Sequence, residues 1–238
     1  MSQQDAEPPN FYSPANLFLQ REVYRLGAEP GLRSLPPSPE RDFLTLTWGP
    51  IIYRTTYAPD SQRLFLLFLR GLNEEVRKAL PRVLQGSPEQ LSQLEQCYSS
   101  KVVGSQETMH QVDEMVVTEI FRDWKIALAI PVIELPVRLR MCLVVDDGVL
   151  ATMTGMVNEA SRKIENADLS RCPVKVLEEN HLDLRNDGLS SSSEGEYPGW
   201  TTVTLGALVE VYDGLGQGKC LIDYHKPGRT YFGDGRWT

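Results

Sequence analysis

Apolar positions along the chain change period several times, and each change marks an element. Phe43 to Tyr57 is dense in β-branched and aromatic side chains, which suit a pleated surface, and predicts a first strand. Pro50 has no N–H to donate, so it marks a bulge or an edge within that strand. Pro59-Asp60-Ser61 then turns the chain into a helix. Its Leu64, Phe68, Leu72, Val76 and Leu80 recur at four-residue steps, and Pro81 stops it. Ser87-Pro88-Glu89-Gln90 combines a capping serine, proline at the first helical position and glutamine at capping-box spacing. The short helix that follows turns Leu91 and Leu94 inward. A third helix is predicted from Glu107 to Leu128, with Val112, Val116, Ile120 and Trp124 on one stripe.

The second half begins with a strand over Val137 to Val145. Val137, Leu139, Met141, Leu143 and Val145 share one face, and Arg138 and Arg140 start the other. Asp146-Asp147-Gly148 reads as a turn into a helix with Leu150, Met153, Val157, Ala160 and Ile164. Pro173 to Glu178 and Gly199 to Thr204 read as strands, and Thr204 is placed to cap a helix through Leu205, Leu208, Val209, Tyr212 and Leu215. This order predicts an α+β fold: a small mixed β-sheet of about four strands with helices packed mainly on one face.

Three segments fall outside the periodic pattern. Residues 1–42 hold seven of the sixteen prolines and read as a lead-in arm, with one island, Leu17 to Leu26, able to dock as a short helix. The domain proper is expected over residues 43–215. Residues 178–196 carry six acids against one arginine. With Ser190 to Ser193 they predict an acidic, serine-rich surface loop at 186–197, open to acid-directed kinases. Residues 216–238 hold five glycines and read as an irregular tail pinned by Tyr231, Phe232 and Trp237.

Charge and cysteine usage narrow the class. Twenty-four basic against 32 acidic side chains leave a net charge of −8, which disfavours nucleic acid and anionic membranes as partners. No apolar run approaches the ~18–20 residues that span a bilayer. The four cysteines form no CxxC pair, so neither a disulfide scaffold nor a zinc site is expected. Met1 to Pro9 lacks the basic and apolar regions of a secretory signal, so the expected compartment is the cytoplasm, with the nucleus also open.

Candidate chemistry is sparse. Glu107, His110 and Glu114 would line one face of the third helix, but no second Glu-x-x-His completes a di-metal set, so they read as a solvated face. His181 with Asp183 and His225 with Asp223 lie in segments read as loop, and no G-x-S-x-G places a nucleophile beside them. Cys142 sits mid-strand among apolar neighbours and reads as a packed thiol. Gly214-Leu215-Gly216-Gln217-Gly218-Lys219 follows a helix rather than a strand, which is the wrong context for a phosphate loop. What remains is Arg54, Arg138 and Arg140, with Tyr53 or Tyr57 nearby. If their strands are neighbours, three guanidinium groups would share a sheet face and could bind an acidic segment or a carboxylate. The competing reading of the same residues is a set of structural ion pairs. No cofactor and no metal are expected.

Trp48-Gly49-Pro50-Ile51-Ile52-Tyr53-Arg54-Thr55-Thr56-Tyr57-Ala58-Pro59-Asp60-Ser61 resembles a block in a family of uncharacterised proteins from filamentous fungi. Arg140 to Leu150 is similar to the second block of that family, and Gly199-Trp200 fits the third. The resemblance spans about residues 43–215 and implies no assigned activity. The functional expectation is an accessory protein acting through a protein partner. The alternative is a cofactor-free enzyme or ligand-binding protein serving a fungal secondary-metabolite pathway. A deep apolar pocket lined by Arg54, Arg140 and a tyrosine would favour the enzyme. A shallow surface with exposed apolar residues would favour the partner.

Overall fold

A computed structural model describes residues 12–29, 32, 36–130, 135–159, 168–179 and 197–238. The expected acidic loop at 186–197 falls almost entirely outside the described residues, as do His181, Asp183, Ala160 and Ile164.

The described residues open with α1 (Pro14–Leu19), a π-helical turn over Gln20–Tyr24, and α2 (Arg25–Ala28). Ser13 caps α1 through the Asn16 N–H, and proline fills the first helical position. Next comes α3 (Pro39–Leu46), started the same way by Ser38 and Pro39. The central strand β1 (Ile51–Arg54) leads into the long α4 (Ser61–Val83) and α5 (Pro88–Gln96), where the Ser87/Gln90 capping box forms as expected. The edge strand β2 (Lys101–Val103) precedes a single turn, α6 (Gln106–Met109), and α7 (Glu114–Leu128). A 3-10 turn at Val137–Leu139 enters β3 (Met141–Val145), followed by α8 (Asp147–Glu159) and β4 (Pro173–Glu178). The chain ends with β5 (Trp200–Thr204), α9 (Leu208–Gly216), β6 (Thr230–Gly233) and β7 (Arg236–Trp237).

The fold is α+β around one mixed sheet, but among the described residues the sheet has seven strands rather than about four, in the order β2-β1-β3-β4-β5-β6-β7. β1 lies parallel to β2 and β3, while β4 runs antiparallel to both β3 and β5. β6 is parallel to β5 and antiparallel to β7. The three strands missing from the sequence reading are short. β2 is three residues of half-exposed edge, and β6 and β7 lie in the glycine-rich tail, whose glycines serve as turn residues.

Alternate residues of the central strands feed two cores. Ile52, Leu143, Val145, Val176 and Val203 join Phe68, Leu72 and Val76 of α4 on the larger side. Ile51, Tyr53, Cys142 and Val144 meet Val117 and Phe121 of α7 on the other. Burying a side chain such as Phe68 or Leu72 contributes roughly 1.5–3 kcal/mol. Helices therefore cover both faces, with the greater share on the α4 side.

Several local expectations change. Pro81 lies inside α4, which continues to Val83, rather than stopping it. Phe43 to Leu46 is the end of a helix, because the Ser38 cap and Pro39 start α3 and its first turn carries Glu40 and Asp42. The packed body includes residues well before Phe43: Ala15, Phe18, Leu19 and Val23 lie within the larger core. The third helix is broken, since Gln111 takes a left-handed φ of 57° and Asp113 starts α7 afresh by accepting the Val116 N–H at 2.9 Å. The break ends the alignment of Glu107, His110 and Glu114 on one helix face. Finally, Val137–Leu139 is a 3-10 turn, so the strand is only Met141–Val145 and is buried on both faces.

Candidate functional site

The chain leaves β1 and β3 toward the α4 face and leaves β2 toward the α7 face. A crevice opens between these diverging loops at the carboxyl ends of the parallel strands, where open sheets of this kind collect ligands. It is an open cleft of about 270 Å³, lined by Thr55, the Gln111–Glu114 loop, Val144 and Asp146–Gly148.

Each wall follows from local chemistry. The Thr55 N–H extends the β1–β3 ladder to the Val145 carbonyl at 3.0 Å, and the Gln111 N–H donates to the Thr55 carbonyl at 2.9 Å. Asp146 starts α8 by accepting the Val149 N–H at 2.9 Å, as Asp113 starts α7. Two carboxylates therefore face into one cleft because each satisfies an orphan N–H at a helix start. Thr56, itself buried, donates its hydroxyl to the Asp147 carboxylate. Lys175 projects from β4, which its register sets opposite Val144, and pairs with Asp146 at 2.6 Å and with Glu114. Burial alone would lower its pKa, but the hydrogen bonds and charges of Asp146 and Glu114 outweigh that and hold the ammonium above its ordinary value.

This arrangement is acidic and occupied with itself. Lys175 stays protonated, so it is neither a base nor a nucleophile. Among the described residues, Asp113, Glu114, Asp146 and Asp147 together outweigh the charge of Lys175. The first turn of α7 adds an apolar border, with Met115 69% and Val116 40% exposed directly after Glu114. Among the described residues no group of three or more His, Cys, Asp or Glu side chains is arranged to hold a metal ion.

The residues singled out from sequence are scattered around this cleft. Arg54 is buried at the end of β1, where Nη2 donates to Ser61 Oγ at 2.9 Å and Nε to the Thr56 carbonyl at 2.9 Å. Its guanidinium lies between the rings of Tyr57 and Phe65, at 4.6 and 4.7 Å from their centroids. It staples the β1–α4 loop. Tyr53 points to the opposite face, edge-on to Phe121 with centroids 6.3 Å apart. Arg138 is fully buried at the entry to β3, and Arg140 donates to the Leu215 carbonyl at 2.7 Å. β1 and β3 are neighbours, but their parallel register sets Arg54 beside Val145. Arg138 and Arg140 therefore lie at the other end of the pair, and the three guanidinium groups share no face. In the sequence Lys175 stands out by no motif, and Asp146-Asp147-Gly148 reads as a turn into a helix. The available signal was an acid between a buried strand and a helix, the position of an N-cap.

Comparison with protein-family models, with curated proteins and with solved structures gives no match.

Proposed function

We propose that this chain is a protein-interaction module that receives a basic segment of a partner protein in the cleft at the carboxyl ends of β1 and β3. The supporting observation is that, among the described residues, four cleft carboxylates stand against one cation paired with them, Lys175, beside exposed Met115 and Val116. An acidic floor attracts and orients a cationic segment, and an apolar border gives it area to bury. The cleft is shallow, and neither Arg54 nor Arg140 lines it. The resemblance to filamentous-fungal proteins belongs to the same proposal: its first two blocks contain the strands whose ends build the cleft.

The test is titration of the intact protein with a lysine- and arginine-rich peptide and with an acidic peptide of equal length. Binding confined to the basic peptide and weakening as salt rises is expected. The Glu114→Gln/Asp147→Asn pair should weaken it about tenfold, as expected for charges near a recognition surface, and Lys175→Met should strengthen it. Equal binding of both peptides, or indifference to these variants, would overturn the proposal.

A further inference from the structure

At the far edge of the sheet a second cleft, of about 300 Å³, lies between α9 and the β6–β7 hairpin. Its walls are aromatic. Tyr224 and Tyr231 meet edge to face with centroids 5.1 Å apart, and Tyr231 meets Trp237 in the same manner at 5.2 Å. The hairpin turn makes this possible: Gly233, Asp234 and Gly235 all take positive φ, at 95°, 52° and 69°, and fold Trp237 back onto Tyr231.

Carboxylates surround the rings. Glu210 accepts the Tyr231 hydroxyl at 2.5 Å and the Asp234 N–H at 3.0 Å, which fixes it at the wall. Asp223 accepts the Cys220 N–H at 2.9 Å, and the Asp234 carboxylate pairs with Arg236 at 3.2 Å. Burial and the Glu210 bond push the Tyr231 phenol up to about 12, so the ring is neutral at physiological pH.

Aromatic faces beside carboxylates attract cations through the ring quadrupole and the added charge. The chain shows this with its own side chains. The Lys226 ammonium lies 3.6 Å from the Trp237 centroid, and the Lys219 ammonium lies 5.5 Å from that of Tyr224. Lys219 is itself part of the cleft wall. A primary ammonium is strongly hydrated and gains little by leaving water. An alkylated ammonium has the same charge on a larger, less hydrated surface that fits against rings. We propose that the cleft between α9 and the β6–β7 hairpin binds an alkylated ammonium group, displacing the Lys219 side chain. That chemistry is shared by a free choline-like cation and by a methylated lysine of a partner protein.

Calorimetric titration of the full chain tests this with choline, with a peptide carrying trimethyl-lysine, and with 3,3-dimethylbutanol, the uncharged isostere of choline. Choline should bind at least about tenfold more tightly than the isostere, because only the cation interacts with the ring quadrupole. Asp223→Asn and Trp237→Ala should each weaken choline, while Lys219→Met should tighten it several-fold by removing the competing ammonium. Asp223→Asn keeps the oxygen that accepts the Cys220 N–H, so it separates loss of charge from loss of fold if Trp237→Ala unfolds. A trimethyl-lysine peptide about tenfold tighter than choline assigns the group to a protein partner, and equal affinities assign it to a free cation. Equal binding of choline and the isostere, no saturable binding of either cation, or insensitivity to Lys219→Met and Asp223→Asn would overturn the proposal.

Discussion

Glu22 and Arg138 meet inside the protein with no access to water: Arg138 Nη2 donates to the Glu22 backbone carbonyl at 3.1 Å. The Glu22 carboxylate in turn accepts the Val137 N–H at 2.9 Å, beside Arg138, and Arg21 Nε at 2.8 Å. Arg138 also reaches the Phe43 carbonyl and Thr47 Oγ1. One buried polar network therefore ties the π-turn, the end of α3 and the entry to β3 together.

Breaking that network should be costly. Glu22→Ala leaves the Val137 N–H without its acceptor, removes the carboxylate that pairs with Arg21 at 2.8 Å, and takes away the negative charge that acts on buried Arg138. The expected loss is about 3–5 kcal/mol, the range for removing one member of a buried charged pair. Urea unfolding measures it. A loss below about 1 kcal/mol, the range of exposed pairs, would show that water reaches the seam.

Glu178 sets a pH dependence. Burial raises its carboxyl above the ordinary value of 4.5, and the Leu221 N–H at 3.0 Å and Arg140 offset this only in part. The folded state therefore holds the proton more tightly than the unfolded state. Its stabilising contribution is fully present below the ordinary glutamate pKa and is lost as pH rises through the folded value. Glu178→Gln removes that loss, so its stability relative to the parent should climb from acid toward neutral pH and then level off. Urea midpoints across that range test this, and a constant difference would contradict it.

The N-terminal helix should behave as core. Phe18 is fully buried, edge-on to Trp48 with centroids 4.9 Å apart and beside Tyr212 at 5.9 Å. Phe18→Ala should cost about 3–5 kcal/mol, the cost of a large cavity in a packed interior. Leu17, half-exposed one residue earlier, should cost under about 1 kcal/mol when changed to alanine, as surface substitutions do. Equal effects in chemical denaturation would mean that this helix is not docked in solution.

Two glycines should respond in opposite directions. Gly49 has a φ of 132°, and a Cβ there would lie 2.5 Å from the Ser99 carbonyl oxygen, a backbone atom that cannot swing away. Gly49→Ala should destabilise by about 2 kcal/mol or more, from backbone strain and overlap together. Gly155 lies exposed on α8 with nothing near its would-be Cβ. Gly155→Ala should stabilise by about 0.5–1 kcal/mol, because alanine has the higher helix propensity. Thermal melts of the two variants give the comparison directly.

Much of the secondary structure was legible because its signals are local. Four-residue steps through Phe68, Leu72, Val76 and Leu80 define α4, the Ser87/Gln90 pair starts α5, and β4 and β5 follow from short β-rich runs between turn residues. Where a cap and a propensity disagreed, as at Ser38-Pro39 before Phe43, the cap decided, since it satisfies orphan N–H groups that β-propensity leaves open. The strands of the glycine-rich tail were not legible, because three positive-φ residues that form a tight turn have the same composition as an irregular ending.

The clefts belong wholly to the tertiary structure. Asp146 and Lys175 are far apart in the chain and meet only because β4 runs antiparallel to β3 with Lys175 opposite Val144. The parallel pairing of β1 and β3 is what sends Arg54 to one end and Arg138 and Arg140 to the other. Strand direction and register are set by which apolar faces the whole sheet can bury at once, and no short stretch of sequence contains that condition.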